Sequence, residues 1–446
     1  MYNAAAMKRH FCLLLLILFS HAAVAQDWRT EADARIEQHR KENVTLVVTV
    51  DGQPIAGATV DVKMVRHEFL FGSNIFLARR RENQTPQQNA DYDQRYVDLF
   101  NFATLPFYWP WYDMVDGQPD HTNNERVAQW CKDRGITTKG HPLVWNFGDP
   151  AWLRGLPLDE VFRLQMDWAT GSVGHFRETI NMWDVLNEPT EWDRPDTQSR
   201  SSQLTELGNT MGVIELIRAS FAAAREANPD ATLLINDYYV GEGFAAMLEQ
   251  LVDDSGKPIY DVIGIQSHMH TAVWDNDRIW EVCERFARFN VPIHFTELTV
   301  LSTHEPRDWW GEGLRYQISD AMTTPEGEQM QAEHVERIYT MLFSHPSVEA
   351  ISWWDFSDLH AWMRAPAGLL RRDMSPKPAY ETLHNLINEK WATNVTVQTN
   401  DAGIASLRAF RGKYQFTMTL PDGRQKNVAP WQIQKGTGRI VLEWND

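Results

Sequence analysis

Eight short apolar runs, separated by stretches of helical periodicity and each ending in polar or aromatic residues, predict an α/β chain closed as a (β/α)8 TIM barrel with small β-rich N- and C-terminal additions. The strand-like runs extend from Phe69 to Ser73, Phe100 to Thr104, Thr137 to Val144, Ile180 to Asn187, Thr232 to Asn236, Val262 to Gln266, Ile293 to Thr296 and Ala350 to Trp354. Between them, Glu125 to Lys132, Leu158 to Phe176, Val213 to Ala227, Ile279 to Phe289 and Gly327 to Phe343 carry helical spacing. The 446 residues suit such a barrel with modest additions, since these barrels take about 250 to 350 residues.

The flanking segments divide the chain. Residues 1–25 have the form of an export signal: Lys8 and Arg9, an apolar run from Phe11 to Phe19 too short to span a bilayer, and Ala23-Val24-Ala25 as a small-residue cleavage site. The mature chain is therefore expected to be soluble and secreted or periplasmic. Residues 26–68 read as an exposed helix from Trp28 to Lys41 and a hairpin. Its strands, Val44 to Val50 and Ala58 to Met64, would turn at Asp51-Gly52. The barrel occupies 69–390. Residues 391–446 alternate as an antiparallel β module, with Tyr414, Phe416, Met418 and Leu420 on one face and a turn at Pro421-Asp422-Gly423; it is expected to pack on the N-terminal hairpin.

Composition excludes several functions. At 43% hydrophobic and 23% charged residues the chain is globular rather than disordered. Its net charge of −18 becomes −20 once Lys8 and Arg9 leave with the signal, which argues against nucleic acid or an anionic membrane as partner and suits a neutral ligand such as a polysaccharide. Of the three cysteines, Cys12 goes with the signal, and Cys131 and Cys283 lie in separate helical stretches, better read as two buried thiols than as a disulfide. No CxxC or HExxH points to a metal, and no GxGxxG or GxxxxGK points to a nucleotide.

Chemistry is concentrated at two strand ends. Met182-Trp183-Asp184-Val185-Leu186-Asn187-Glu188-Pro189 reads as a buried strand that stops at Glu188, because Pro189 cannot donate the next ladder hydrogen bond. A carboxyl there is accessible yet partly desolvated, the condition for general-acid use. Ile293-His294-Phe295-Thr296-Glu297 ends the same way. Either glutamate alone would more often be a solvated charge, a cap or an Arg partner; the pair, in a chain rich in aromatic residues, points to glycoside hydrolysis. Polar and aromatic residues fall at the other strand ends too: His141, Trp145 and Asn146; Asn236, Asp237 and Tyr238; Gln266 and His268; Trp354 and Asp355. In a barrel these ends form one mouth.

These pieces resemble glycoside hydrolase family 10, the β-1,4-xylanase family, over roughly Phe69 to Trp391. The resemblance rests on Gly140-His141-Pro142-Leu143-Val144-Trp145, Trp183-Asp184-Val185-Leu186-Asn187-Glu188, Ile235-Asn236-Asp237-Tyr238, Ile263-Gly264-Ile265-Gln266-Ser267-His268, Thr296-Glu297-Leu298 and Ile351-Ser352-Trp353-Trp354, in that order, with Lys377-Pro378-Ala379-Tyr380 before the last helix. It implies a retaining enzyme without a cofactor, with Glu188 as acid/base and Glu297 as nucleophile. It further implies that Asn187 bonds the sugar 2-hydroxyl, His268 bonds the nucleophile and Gln266 lies beside the acid/base. His141, Trp145, Trp354 and Trp362 would line the subsite of cleavage. From their places at strand ends, Asn146 and Tyr238 are expected as further binding residues.

Departures concern the glycone side. Pro106-Phe107 and Pro110 replace a Glu-Asn pair and a Lys of the family pattern, Asn146 and Gly148 replace a His and a Gln, and Thr299 replaces an Asp that supports the histidine on the nucleophile. Phe107, Tyr108, Trp109 and Phe147 are expected to crowd that side instead. The leading expectation is hydrolysis of xylan or a related plant-wall glycan. Two other readings stay open: the same chemistry on a different or decorated β-glycan, and a glycan-binding descendant of the enzyme.

Overall fold

The computed structural model describes residues 28–79, 81–112, 114–115, 118–195, 201–270, 272–303 and 322–444; the export signal read at residues 1–25 lies outside them. Eight parallel strands form the barrel: Leu70–Asn74, Phe102–Pro106, Thr137–His141, Met182–Asn187, Thr232–Asp237, Val262–Ile265, Ile293–Val300 and Val348–Trp353. Each pairs with the next in chain order, and Leu70–Asn74 pairs with Val348–Trp353 to close the ring. Their apolar runs follow from burial on both faces. Leu233 and Ile235 pack outward with the helices in the main core, whereas Leu234 joins Phe102, Met182, Val262 and Ala350 in a small separate cluster that plugs the barrel floor.

Helices Thr122–Asp133, Leu158–His175, Val213–Ala227, Asn276–Ala287 and Pro325–Ser344 stand where periodicity placed them. Four others were not read from periodicity: Pro86–Leu99, Ser202–Met211, Glu242–Gln250 and Pro378–Asn385. Cys131 and Cys283 are buried free thiols.

The expected N-terminal hairpin does not form. The strand Lys41–Val50 pairs with Ile404–Phe410 and Arg439–Trp444, while Thr59–His67 pairs with Asn394–Gln398 and Gly412–Thr419, so the two lie in different sheets. Asp51-Gly52 does turn the chain, but only onto the two-residue strand Gln53–Pro54. Alternation reports a half-buried strand without reporting its partner, and here the better apolar partners came from the C-terminal segment. The two terminal segments thus interleave into one β unit. It sits under the barrel floor, where Arg40 donates to the carbonyls of Phe343 (2.6 Å), His345 (2.6 Å) and Val348 (2.7 Å).

Candidate active site

The fourth barrel strand, Met182–Asn187, sets the mouth. Asp184 and Asn187 are three apart yet face the same interior, because pairing with Thr232–Asp237 slips at Val185: Asp184 lies opposite Leu234, and Leu186 opposite Ile235. The strand ends at Asn187, one residue before the predicted stop, and Glu188 takes a left-handed backbone (φ 55°, ψ 49°) with its N–H donating to Asn236 O at 2.8 Å. A second slip, between Phe295 and Leu298, falls at Glu297 on the strand Ile293–Val300.

Below the mouth lies a fully buried ion pair, Lys139 Nζ to Asp184 Oδ2 at 2.5 Å. The same oxygen lies 2.7 Å from His141 Nδ1. An Nδ1–H donated there turns Nε2 toward Glu297, whose Oε1 lies 3.8 Å away. Burial alone would raise Asp184; the Lys139 cation and the His141 contact outweigh it and leave the carboxyl below its usual range.

Two amides tie the glutamates together. Gln266 Nε2 donates to Glu188 Oε1 (3.0 Å) and Asn187 Oδ1 (3.2 Å). Asn236 Nδ2 donates to the same Asn187 Oδ1 and to Glu297 Oε1, both at 2.8 Å. Thr296 Oγ1 donates to Asn236 Oδ1 at 2.6 Å, which fixes the amide's orientation. On the far side, Glu297 Oε2 meets His268 Nε2 at 3.0 Å, and His268 Nδ1 lies 3.0 Å from Thr299 Oγ1. Burial pushes Glu297 up, but His141, the His268 hydrogen bond and Lys139 together hold it below the ordinary glutamate value. That suits a carboxylate that has to be ionised to attack.

The second oxygen of Glu188 is taken by Arg194 Nη2 at 2.7 Å, and Arg194 Nη1 bonds Tyr238 Oη at 2.9 Å. Tyr238 therefore reaches the site through Arg194, and its own hydroxyl donates to Glu191. Beneath them Asp237 accepts from the Thr190 and Tyr239 amides, and burial pushes it up to about 7 despite those bonds.

The profile of "Glycosyl hydrolase family 10" matches residues 77–386. The chain belongs to this family. Curated relatives include "Anti-sigma-I factor RsgI6" of Acetivibrio thermocellus, 26% identical over 93% of this chain and 49% of its own length. "Endo-1,4-beta-xylanase B" of Thermotoga neapolitana is 28% identical over 60% of this chain and 74% of its length. This chain thus spans about half of the first relative. Xylanase 10B from Thermotoga petrophila RKU-1, solved with xylobiose, matches with a TM-score of 0.58 at 22% identity, covering 72% of this chain and 95% of that one; at that identity the likeness shows the barrel fold.

Aromatic residues wall the mouth of this family 10 barrel. The ring of Trp354 stands edge-on to His141 (5.4 Å between centroids) and His268 (5.9 Å), and Trp362 leans on His268 at 4.8 Å. Trp145 stacks on Phe147 at 4.5 Å, and Tyr108 lies 5.7 Å from both His141 and Trp145. Among the residues expected to bind sugar, Asn146 turns away. It is fully buried and donates to Trp192 O (2.5 Å) and Thr205 Oγ1 (3.1 Å), so it anchors a loop rather than facing the groove. Phe107 likewise turns into the core, against Trp183, while Trp109, stacked on Trp168, stays with Tyr108 and Phe147 along the groove. Arg194 was missed because a loop arginine six residues after Glu188 reads as any solvated cation. Asn236 and Asp355 did carry a signal, as polar residues at strand ends.

Proposed function

We propose that this protein is a secreted, retaining glycoside hydrolase that cleaves β-1,4-linked xylan or a related plant cell-wall glycan by double displacement. The observation that carries the reading is the continuous hydrogen-bonded path from Glu188 through Gln266, Asn187 and Asn236 to Glu297. Glu188, protonated, gives its proton to the leaving glycosidic oxygen as Glu297 attacks the anomeric carbon and forms a glycosyl ester. Glu188, now a carboxylate, takes a proton from water, which displaces Glu297 and restores both groups. Asn187 would bond the sugar 2-hydroxyl, a contact that strengthens as the oxocarbenium ion develops. Arg194 has to release Glu188 before the proton can be carried. Trp145 and Trp354 would supply ring faces for stacking of the main-chain sugars.

In the test, a panel of wall glycans is incubated with the protein and with Glu297→Ala. Reducing ends released by the first and absent with the second are expected, with the β-anomer formed first by proton NMR. Full activity in Glu297→Ala would sink the role assignment. A second reading, a glycan-binding protein with little catalysis, is favoured by the Arg194–Glu188 ion pair and by the relative named as an anti-sigma factor. It predicts retained binding without product.

A further inference from the structure

Two cavities open from a shared rim of Tyr108, Trp111 and Trp362. One, of about 250 Å³, is walled by Pro110, Pro142, Leu143, Trp145 and Phe147. The other, of about 440 Å³, runs between the ends of the first, second and eighth barrel strands and is lined by Asn74, Phe76, Trp354 and Asp355, with Arg79, Glu82 and His360 also bordering it. Both sizes lie near those of small-ligand pockets.

The larger cavity holds a polar group that the catalytic network leaves unused. Asp355 is 6% exposed; its Oδ1 accepts the Trp362 amide at 3.0 Å, and its Oδ2 meets no donor among the described residues. Burial, with the neighbouring Asp358 and Glu297 charges, pushes this carboxyl up to about 7 against the opposing Trp362 hydrogen bond and the nearby Asn74 side chain. A buried acceptor without a donor costs stability unless something brings one. At the rim Trp111 and Trp362 are 50% and 40% exposed, so indole surface stands open beside that acceptor. An acceptor next to open aromatic faces is the chemistry that takes hold of a sugar: hydroxyls donate, and the C–H face stacks. Trp354 lies between this cavity and the histidines around Glu297, so the occupant adjoins the ring being cleaved.

We propose that the Asp355 cavity binds a neutral sugar side branch of the substrate, with branch hydroxyls donating to Asp355 and the branch ring lying on Trp362, while the main chain follows the apolar cavity beside Trp145. This rests on the glycosidase reading and narrows it to branched glycans.

The test compares xylotetraose with the same oligosaccharide carrying one α-L-arabinofuranosyl branch. The unaltered protein is expected to show the higher kcat/KM on the branched probe. Asp355→Leu should lower the branched-to-linear ratio about tenfold, and Trp362→Ala, at an exposed position, should lower it as well. Calorimetric binding of both probes to Glu297→Gln protein separates the two hypotheses. If neither probe is cleaved but the branched one binds more tightly and loses that advantage in Asp355→Leu, the cavity assignment stands and the glycosidase reading falls. Equal handling of the two probes, in rate and in binding, overturns the branch site.

Discussion

Glu188 occupies a left-handed backbone well, which costs a non-glycine residue about 1 to 2 kcal/mol. The chain tolerates it because the strand cannot continue through Pro189 and the Glu188 N–H is caught by Asn236 O. Arg194 then holds the carboxylate side of Glu188; burial works against the cation, but the carboxylate beside it raises Arg194 on balance. Asp237 gives a pH signature. Its carboxyl, raised to about 7 in the fold, binds a proton that the unfolded chain releases near pH 4. Its contribution to stability is thus present below pH 4 and is lost as pH rises toward 7, by up to about 1.4 kcal/mol per unit. Asp237→Asn should flatten the fall in urea midpoint between pH 4 and 7, and a wild-type slope in the variant would contradict this.

At the scale of elements, two pairing slips do what simple alternation cannot. The slip at Val185 brings Asp184 and Asn187 to one face, and the slip beyond Phe295 falls where Glu297 turns in. The ion pair between the third and fourth strands supports them: Lys139 and Asp184 are both fully buried, and the network above leans on Asp184 through His141. Breaking one half strands a buried charge, so Asp184→Asn should cost about 3 to 5 kcal/mol in chemical denaturation. A loss under 1 kcal/mol would show that the pair is hydrated. The third strand approaches the fourth closely at Gly140, where a Cβ would lie 2.2 Å from the Trp183 ring, so the Gly-His start of that motif is a packing requirement as well as a chemical one.

Across the whole molecule, the mouth with its two glutamates and the β unit occupy opposite faces of the barrel. Each N-terminal strand lies between strands contributed by residues 394–444, and the joint is filled by His67, Phe69, Phe343 and Phe410. We propose that the unit braces the barrel floor and does not bind glycan in the groove. A chain ending at Trp391 would strip the principal partners from Lys41–Val50 and Thr59–His67 and leave two apolar edges. It should aggregate or unfold without a cooperative calorimetric transition; a soluble truncated chain with the original Tm would refute the bracing role.

The barrel was legible because its strands are buried on both faces, so each is written as a run of apolar residues whatever its neighbours do, and because polar residues survive mainly where those runs reach the mouth. Glu188, Asn187, Glu297, Gln266 and His268 were singled out that way, and the fold brings them to one mouth. What escaped depends on partners distant in the chain: the pairing of Lys41–Val50 with strands more than 350 positions away, the inward turn of Asn146 and Phe107, and the reach of Arg194 to Glu188. Periodicity records which face of a residue is buried; only the closed fold decides against what, because that choice is made by competition among all apolar and charged surfaces at once.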